Sequence, residues 1–89
     1  MPGFAHTFIA KGVTSLEGRA AFELATPSGS TSHIILWQDV RVIGFEHDTE
    51  RRRVKVGIVY RDGTSNDRDP LYIVPGSVGQ LAAAFAFSR

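Results

Sequence analysis

The sequence predicts a mostly-β domain of the α+β class: an antiparallel sheet or half-barrel of five to six strands, capped by one C-terminal helix. Three observations carry this expectation. Val54, Val56, Ile58 and Tyr60 alternate with Arg53, Lys55, Gly57 and Val59, the period of a strand with one buried face. Clusters of turn residues, Pro27–Ser32 and Asp62–Pro70 above all, separate the apolar runs. Finally, Val78, Leu81, Ala82 and Phe85 recur at i, i+3, i+4 and i+7, the stripe of an amphipathic helix. Ser77 and Gln80 stand at its start with the spacing of a capping box.

Taken in order, residues 4–10 are rich in aromatic and β-branched side chains and read as a strand that Gly12 ends. Residues 14–25 admit two readings. Thr14 and Glu17 could cap a helix carrying Leu16, Ala20 and Leu24. Alternatively, Ala20, Phe22 and Leu24 line one face of a strand and Arg19, Ala21 and Glu23 the other. The strand over 19–25 is preferred, because Gly18 weakens a helix and the helix would leave Phe22 off its apolar face. The cluster Pro27–Ser32 then makes a hairpin into a buried strand over 32–37. A further strand over 40–46, a polar turn over 47–52 and the alternating strand over 53–60 follow. Residues 62–70 form a loop, 71–74 a short strand stopped by Pro75-Gly76, and 77–87 the helix.

Eighty-nine residues suit one domain, 1–89, and leave no room for two cores. With 43% apolar and 21% charged residues the chain has the composition of a folded globule. A net charge of +1 provides no whole-molecule field to recruit nucleic acid or anionic lipid. There is no cysteine, which excludes disulfides, zinc–thiolate sites and thiol nucleophiles. The longest apolar run, Ile34–Trp37, is far too short to span a bilayer, so no transmembrane segment is expected. Phe8-Ile9-Ala10, followed by Lys11, is too short for a signal-peptide core, and a cytoplasmic location is expected.

No catalytic residue, metal ligand or cofactor site is expected. His6, His33 and His47 lack the spacing of a zinc site, and Asp62, Asp67 and Asp69 do not match a calcium loop. Gly76-Ser77-Val78-Gly79 is explained by a helix start rather than a nucleophile elbow or phosphate loop. One charge cluster, Arg51, Arg52, Arg53 and Lys55, could hold a phosphate or carboxylate, and so a phospholipid or nucleic acid. The favoured reading is that these cations pair with Glu46, Asp48 and Glu50 around a hairpin tip.

Two stretches resemble bacterial pleckstrin-homology-like domains over roughly residues 32–87. Ile34-Ile35-Leu36-Trp37-Gln38-Asp39-Val40 is similar to their strand-to-strand join, and Tyr72-Ile73-Val74-Pro75 to their closing strand and helix entry. The resemblance implies a non-catalytic scaffold of the kind that binds lipid head groups, peptides or its own copies. The helix adds a further expectation. No charged residue occurs from Val78 to Ser88, and Phe87 lies about 200° round from Phe85, so both cannot face one core. Ala83, Ala84 and Phe87 are therefore expected to meet a protein partner, a second copy of the chain in a two-fold homodimer being favoured. A self-associating binding or assembly domain is the function expected. An anion-binding module, or a small enzyme whose site is scattered along the chain, are the alternatives.

Overall fold

Six strands and one helix make up the computed structural model, which describes residues 6–88. β1 (Thr7–Leu16) and β2 (Arg19–Ala25) form a hairpin around Glu17 and Gly18, both left-handed with φ of 53° and 78°. Left-handed angles at both central residues match the right-handed twist of the flanking strands. The preferred strand over 19–25 is thus present, and the helical reading of 14–25 is not. The expected end at Gly12 is corrected: β1 continues to Leu16. Gly12 adopts φ 130° at a bulge between Ala10 and its own position, so this glycine bends the strand instead of stopping it. Phe4 and Ala5, the start of the expected first strand, lie outside the described residues.

β3 (Ser32–Leu36) pairs antiparallel with β2. A 3-10 turn over Trp37–Asp39 then leads directly into β4 (Val40–Asp48). β4 pairs antiparallel with β5 (Arg53–Tyr60), and β5 with the short β6 (Leu71–Ile73). The sheet order is β3-β2-β1-β6-β5-β4, so two antiparallel meanders meet where β1 lies parallel to β6. The sheet is therefore mixed, not wholly antiparallel, and it does not close. A second 3-10 turn, Pro75–Ser77, enters α1 (Val78–Phe87). Among the described residues no helix is long and apolar enough to cross a membrane.

One core serves both meanders. Phe22, Leu24, Val54, Val56, Ile58 and Ile73 are buried to within 2% exposure, and Leu81 of α1 is fully covered. Complete burial of side chains of this size stabilises by about 1.5–3 kcal/mol each. Trp37 joins sheet to helix, with its ring 6.1 Å from Phe22 and 5.8 Å from Phe85.

The expected capping box does not form. The turn Pro75–Ser77 leaves Ser77 helical, at φ −90° and ψ −9°, and its hydroxyl makes no cap bond. That hydroxyl accepts instead from the backbone N–H of Ala10 at 2.9 Å.

Candidate functional site

Three places hold residues with chemistry to offer: the end of α1, the β4–β5 hairpin tip and a cleft beside β3. On α1, Leu81 and Ala84 are buried, and Phe85 packs against Trp37. Ala84 is thus corrected from an interface residue to a core residue. It lies one turn beyond Leu81, and i, i+3 positions share a helix face. Ala83 is exposed, and Phe87 is 92% exposed. The helix holds its shape to this point. The Ser88 N–H donates to the carbonyls of Ala84 and Phe85 at 3.1 Å, and its hydroxyl donates to Phe85 O at 2.6 Å. Phe87 is accordingly carried on an ordered turn.

At the β4–β5 tip, Asp48 gathers the cations. Its Oδ1 accepts the Arg51 N–H at 3.1 Å, and its Oδ2 lies 3.5 Å from both Arg51 Nη1 and Arg53 Nε. The Arg51 backbone N–H, with help from the Arg51 and Arg53 guanidiniums, holds the Asp48 carboxyl below the usual carboxylate range. The Arg53 guanidinium lies 3.7 Å over the Tyr72 ring, although its Nε has no hydrogen-bond acceptor in good geometry. Arg52 is exposed with φ 53°. Lys55 sits on β5 in register between Glu46 and Tyr72. The four cations are therefore distributed among a carboxylate, an aromatic face and a strand rather than gathered around one anion-sized space.

The cleft is what the sequence did not announce. It has a volume of about 380 Å³, and Ser32 and His33 of β3 face Tyr60, Ser65, Asn66 and Asp69 across it. Its far wall exists because β6 pairs with β5 only at Val54–Val56, leaving the last residues of β5 with β4 on one side and no strand on the other. The loop takes the vacant place. Tyr60 N–H donates to Thr64 O at 2.8 Å and Asn66 N–H to Ile58 O at 3.1 Å. The Asn66 side chain also accepts from Ile58 N–H and donates to Val56 O, both at 2.9 Å. Phe8 lies between two histidine rings, 6.4 Å from His6 and 6.1 Å from His33. Burial of its ring lowers the affinity of His33 for a proton, and the Asp69 charge opposes part of that shift. A smaller recess of about 140 Å³ continues the cleft along Ile34, Ile35 and Leu36 to Asp39.

Comparison with protein-family models, with curated proteins and with solved structures finds no match for this chain. His47 stands on β4 opposite Val54, apart from the other two histidines. No three His, Asp or Glu side chains among the described residues are placed to share a metal ion. The three loop carboxylates also separate. Asp62 accepts from the Thr64 hydroxyl at 2.6 Å and N–H at 2.9 Å, which pulls its carboxyl below the usual range, while Asp69 faces the cleft. The Ser65 hydroxyl accepts from Asp67 N–H at 3.3 Å. The arrangement can offer hydrogen bonds and fixed negative charge to a bound group.

Proposed function

We propose that this chain is a non-catalytic binding and assembly domain that pairs with a second copy of itself through the outer face of α1. The observation that carries this reading is Phe87, 92% exposed on a helix whose last turn is hydrogen-bonded. An aromatic ring of that size held in water is the kind of residue that anchors an interface once it is covered. A two-fold axis brings the same patch of both copies together, so a charge close to the axis would face its own copy. From Val78 to Ser88 there is none, and Ala83 and Ala86 beside Phe87 are small enough for close approach. The cation–carboxylate pairing at Asp48 supports this reading over an anion, phospholipid or nucleic-acid site at Arg51–Lys55. The mostly-β sheet with one terminal helix is in keeping with the pleckstrin-homology-like resemblance and its binding-scaffold role. A cytoplasmic setting belongs to the same proposal.

Sedimentation equilibrium across a wide concentration range tests it. The wild type should pass from monomer to dimer, and Phe87→Asp should stay monomeric while keeping the same circular dichroism. A wild type that stays monomeric at high concentration, or a Phe87→Asp variant that dimerises equally well, refutes the proposal.

A further inference from the structure

The two edges of the sheet are not treated alike. β4 carries Arg41, Glu46 and Asp48, and its register shifts between Val40 and Val42. Charge and a bulge are the usual ways of blunting an edge against unwanted pairing. β3 has neither. Its residues, Ser32-His33-Ile34-Ile35-Leu36, include no Lys, Arg, Asp, Glu or Pro and pair with β2 without a register shift.

The register also shows which groups are on offer. Thr26 N–H donates to Thr31 O at 2.9 Å, making that pair a hydrogen-bonded one. Hydrogen-bonded and open pairs alternate along an antiparallel ladder. Leu24 with His33 and Phe22 with Ile35 are therefore bonded, and Ser32, Ile34 and Leu36 turn their N–H and C=O groups to the free edge. The cleft and its smaller continuation run beside this edge from Ser32 to Leu36. Only two of the residues lining them, Asp69 near one end and Asp39 near the other, carry a fixed charge, and both are negative. Neither carboxylate is in an ion pair with a described residue.

We infer that the free edge of β3 takes up an extended peptide segment bearing Lys or Arg, which adds as a strand while Asp39 and Asp69 receive its cations. Backbone bonds to Ser32, Ile34 and Leu36 supply affinity, and the carboxylates supply selection. A second copy of the chain is the poorer occupant. An antiparallel β3–β3 pair about a two-fold axis would bring Asp39 of each copy toward Asp69 of the other, setting like charges together. This inference uses a surface separate from Phe87 and stands or falls independently of the assembly proposed above.

The test is an amide-resolved NMR titration of the Phe87→Asp chain with capped pentapeptides. Lys-Val-Thr-Val-Lys should bind saturably with shifts centred on Ser32, Ile34 and Leu36, and Glu-Val-Thr-Val-Glu at least about tenfold more weakly. Asp39→Asn with Asp69→Asn should remove that preference. Ile34→Pro deletes only an outward N–H, which an edge strand tolerates, and should abolish binding. N-methylation of alternate peptide residues probes the same bonds without altering the protein: one alternate set should block binding and the other spare it. Equal binding of the two peptides, or shifts located elsewhere, overturns the inference. So does the absence of saturable binding, or concentration-dependent shifts at β3 with no peptide present, which would assign the edge to a second copy.

Discussion

The hydroxyl of Ser77 accepts a hydrogen bond from the backbone N–H of Ala10, at 2.9 Å and across 67 positions of sequence. β1 and β6 run in parallel only from Thr7 to Phe8, and Val74 N–H adds one more bond to Phe8 O at 2.9 Å. Beyond that the chain turns away at Pro75, and Ala10 would face it with a donor unpaired. Ser77 fills the place that a further β6 carbonyl would have taken. It thereby ties the first strand to the start of the last helix.

Removing that hydroxyl should therefore cost more than a helix cap alone. Ser77→Ala leaves a partly buried N–H without an acceptor, a loss of about 1–3 kcal/mol. Urea denaturation should show this loss, with faster hydrogen exchange at Ala10. Gln80→Ala, which breaks no capping bond here, should be close to neutral.

Asn66 stands in for a strand. Its amide bonds both Ile58 N–H and Val56 O at 2.9 Å, at the Leu71 end of β6 and just past it. Asn66→Ala should lower stability by about 1–3 kcal/mol and raise exchange at Ile58. Asn66→Asp keeps the acceptor but sets a carboxylate oxygen against Val56 O, so it should be no better at neutral pH and should recover on acidification.

The β1–β2 turn depends on Gly18. A side chain at φ 78° is strained, so Gly18→Ala should cost about 1–2 kcal/mol in thermal or urea unfolding, even though no atom stands near enough to clash.

The arginines of the β4–β5 tip should separate in their effects. Arg53 stacks 3.7 Å over Tyr72, and a partly covered cation–π contact is worth about 0.5–1 kcal/mol, which Arg53→Ala should lose. Arg51→Ala and Arg52→Ala, at exposed positions, should leave the unfolding midpoint nearly unchanged. Replacing all three should leave phosphate and anionic-vesicle binding as it was; a strong, salt-sensitive loss would restore the anion-binding reading.

His33 sets a pH dependence. Its ring is held below the ordinary value of 6.5 by burial, against the opposing pull of Asp69. As pH falls through 6.5 the unfolded chain takes up the proton before the folded one does. Stability is thus full above that pH and declines below it. His33→Gln should flatten this limb of a stability-versus-pH curve. It should leave the more acidic limb, where Asp48 and Asp62 lose their depressed carboxyl values, in place.

Much of the framework was legible because its signals are local. Alternation from Arg53 to Tyr60 marks β5, and Phe22 placed β2 correctly against a helical competitor. The i, i+3 and i+4 stripe marks α1. The misses, Ala84 apart, share one cause, a partner distant in sequence. Gly12 looks like a strand end until β2 is seen continuing beside it through a bulge. Ser77 has the spacing of a cap, but its acceptor oxygen is claimed by Ala10. Ala84 reads as interface beside Phe87, yet it stands one turn beyond Leu81 and shares that buried face. The cleft beside β3 had no motif because His33, Asn66 and Asp69 meet only after the loop has replaced a strand.

By itself the sequence determined which segments extend, which turn and which coil, since side-chain period and turn chemistry act within a few residues. It also determined that α1 would carry no charge and that Phe85 and Phe87 would face different ways. Beyond the hairpins, only the tertiary structure decided which strands became neighbours. β1 lies against β6 because both meanders must bury their apolar faces around Leu81 and Trp37 at once, and neither strand names its partner in its own residues. That one parallel pairing sets the two ends of the sheet. It leaves β4, with its charges and bulge, at one end and the unguarded β3, between Asp39 and Asp69, at the other.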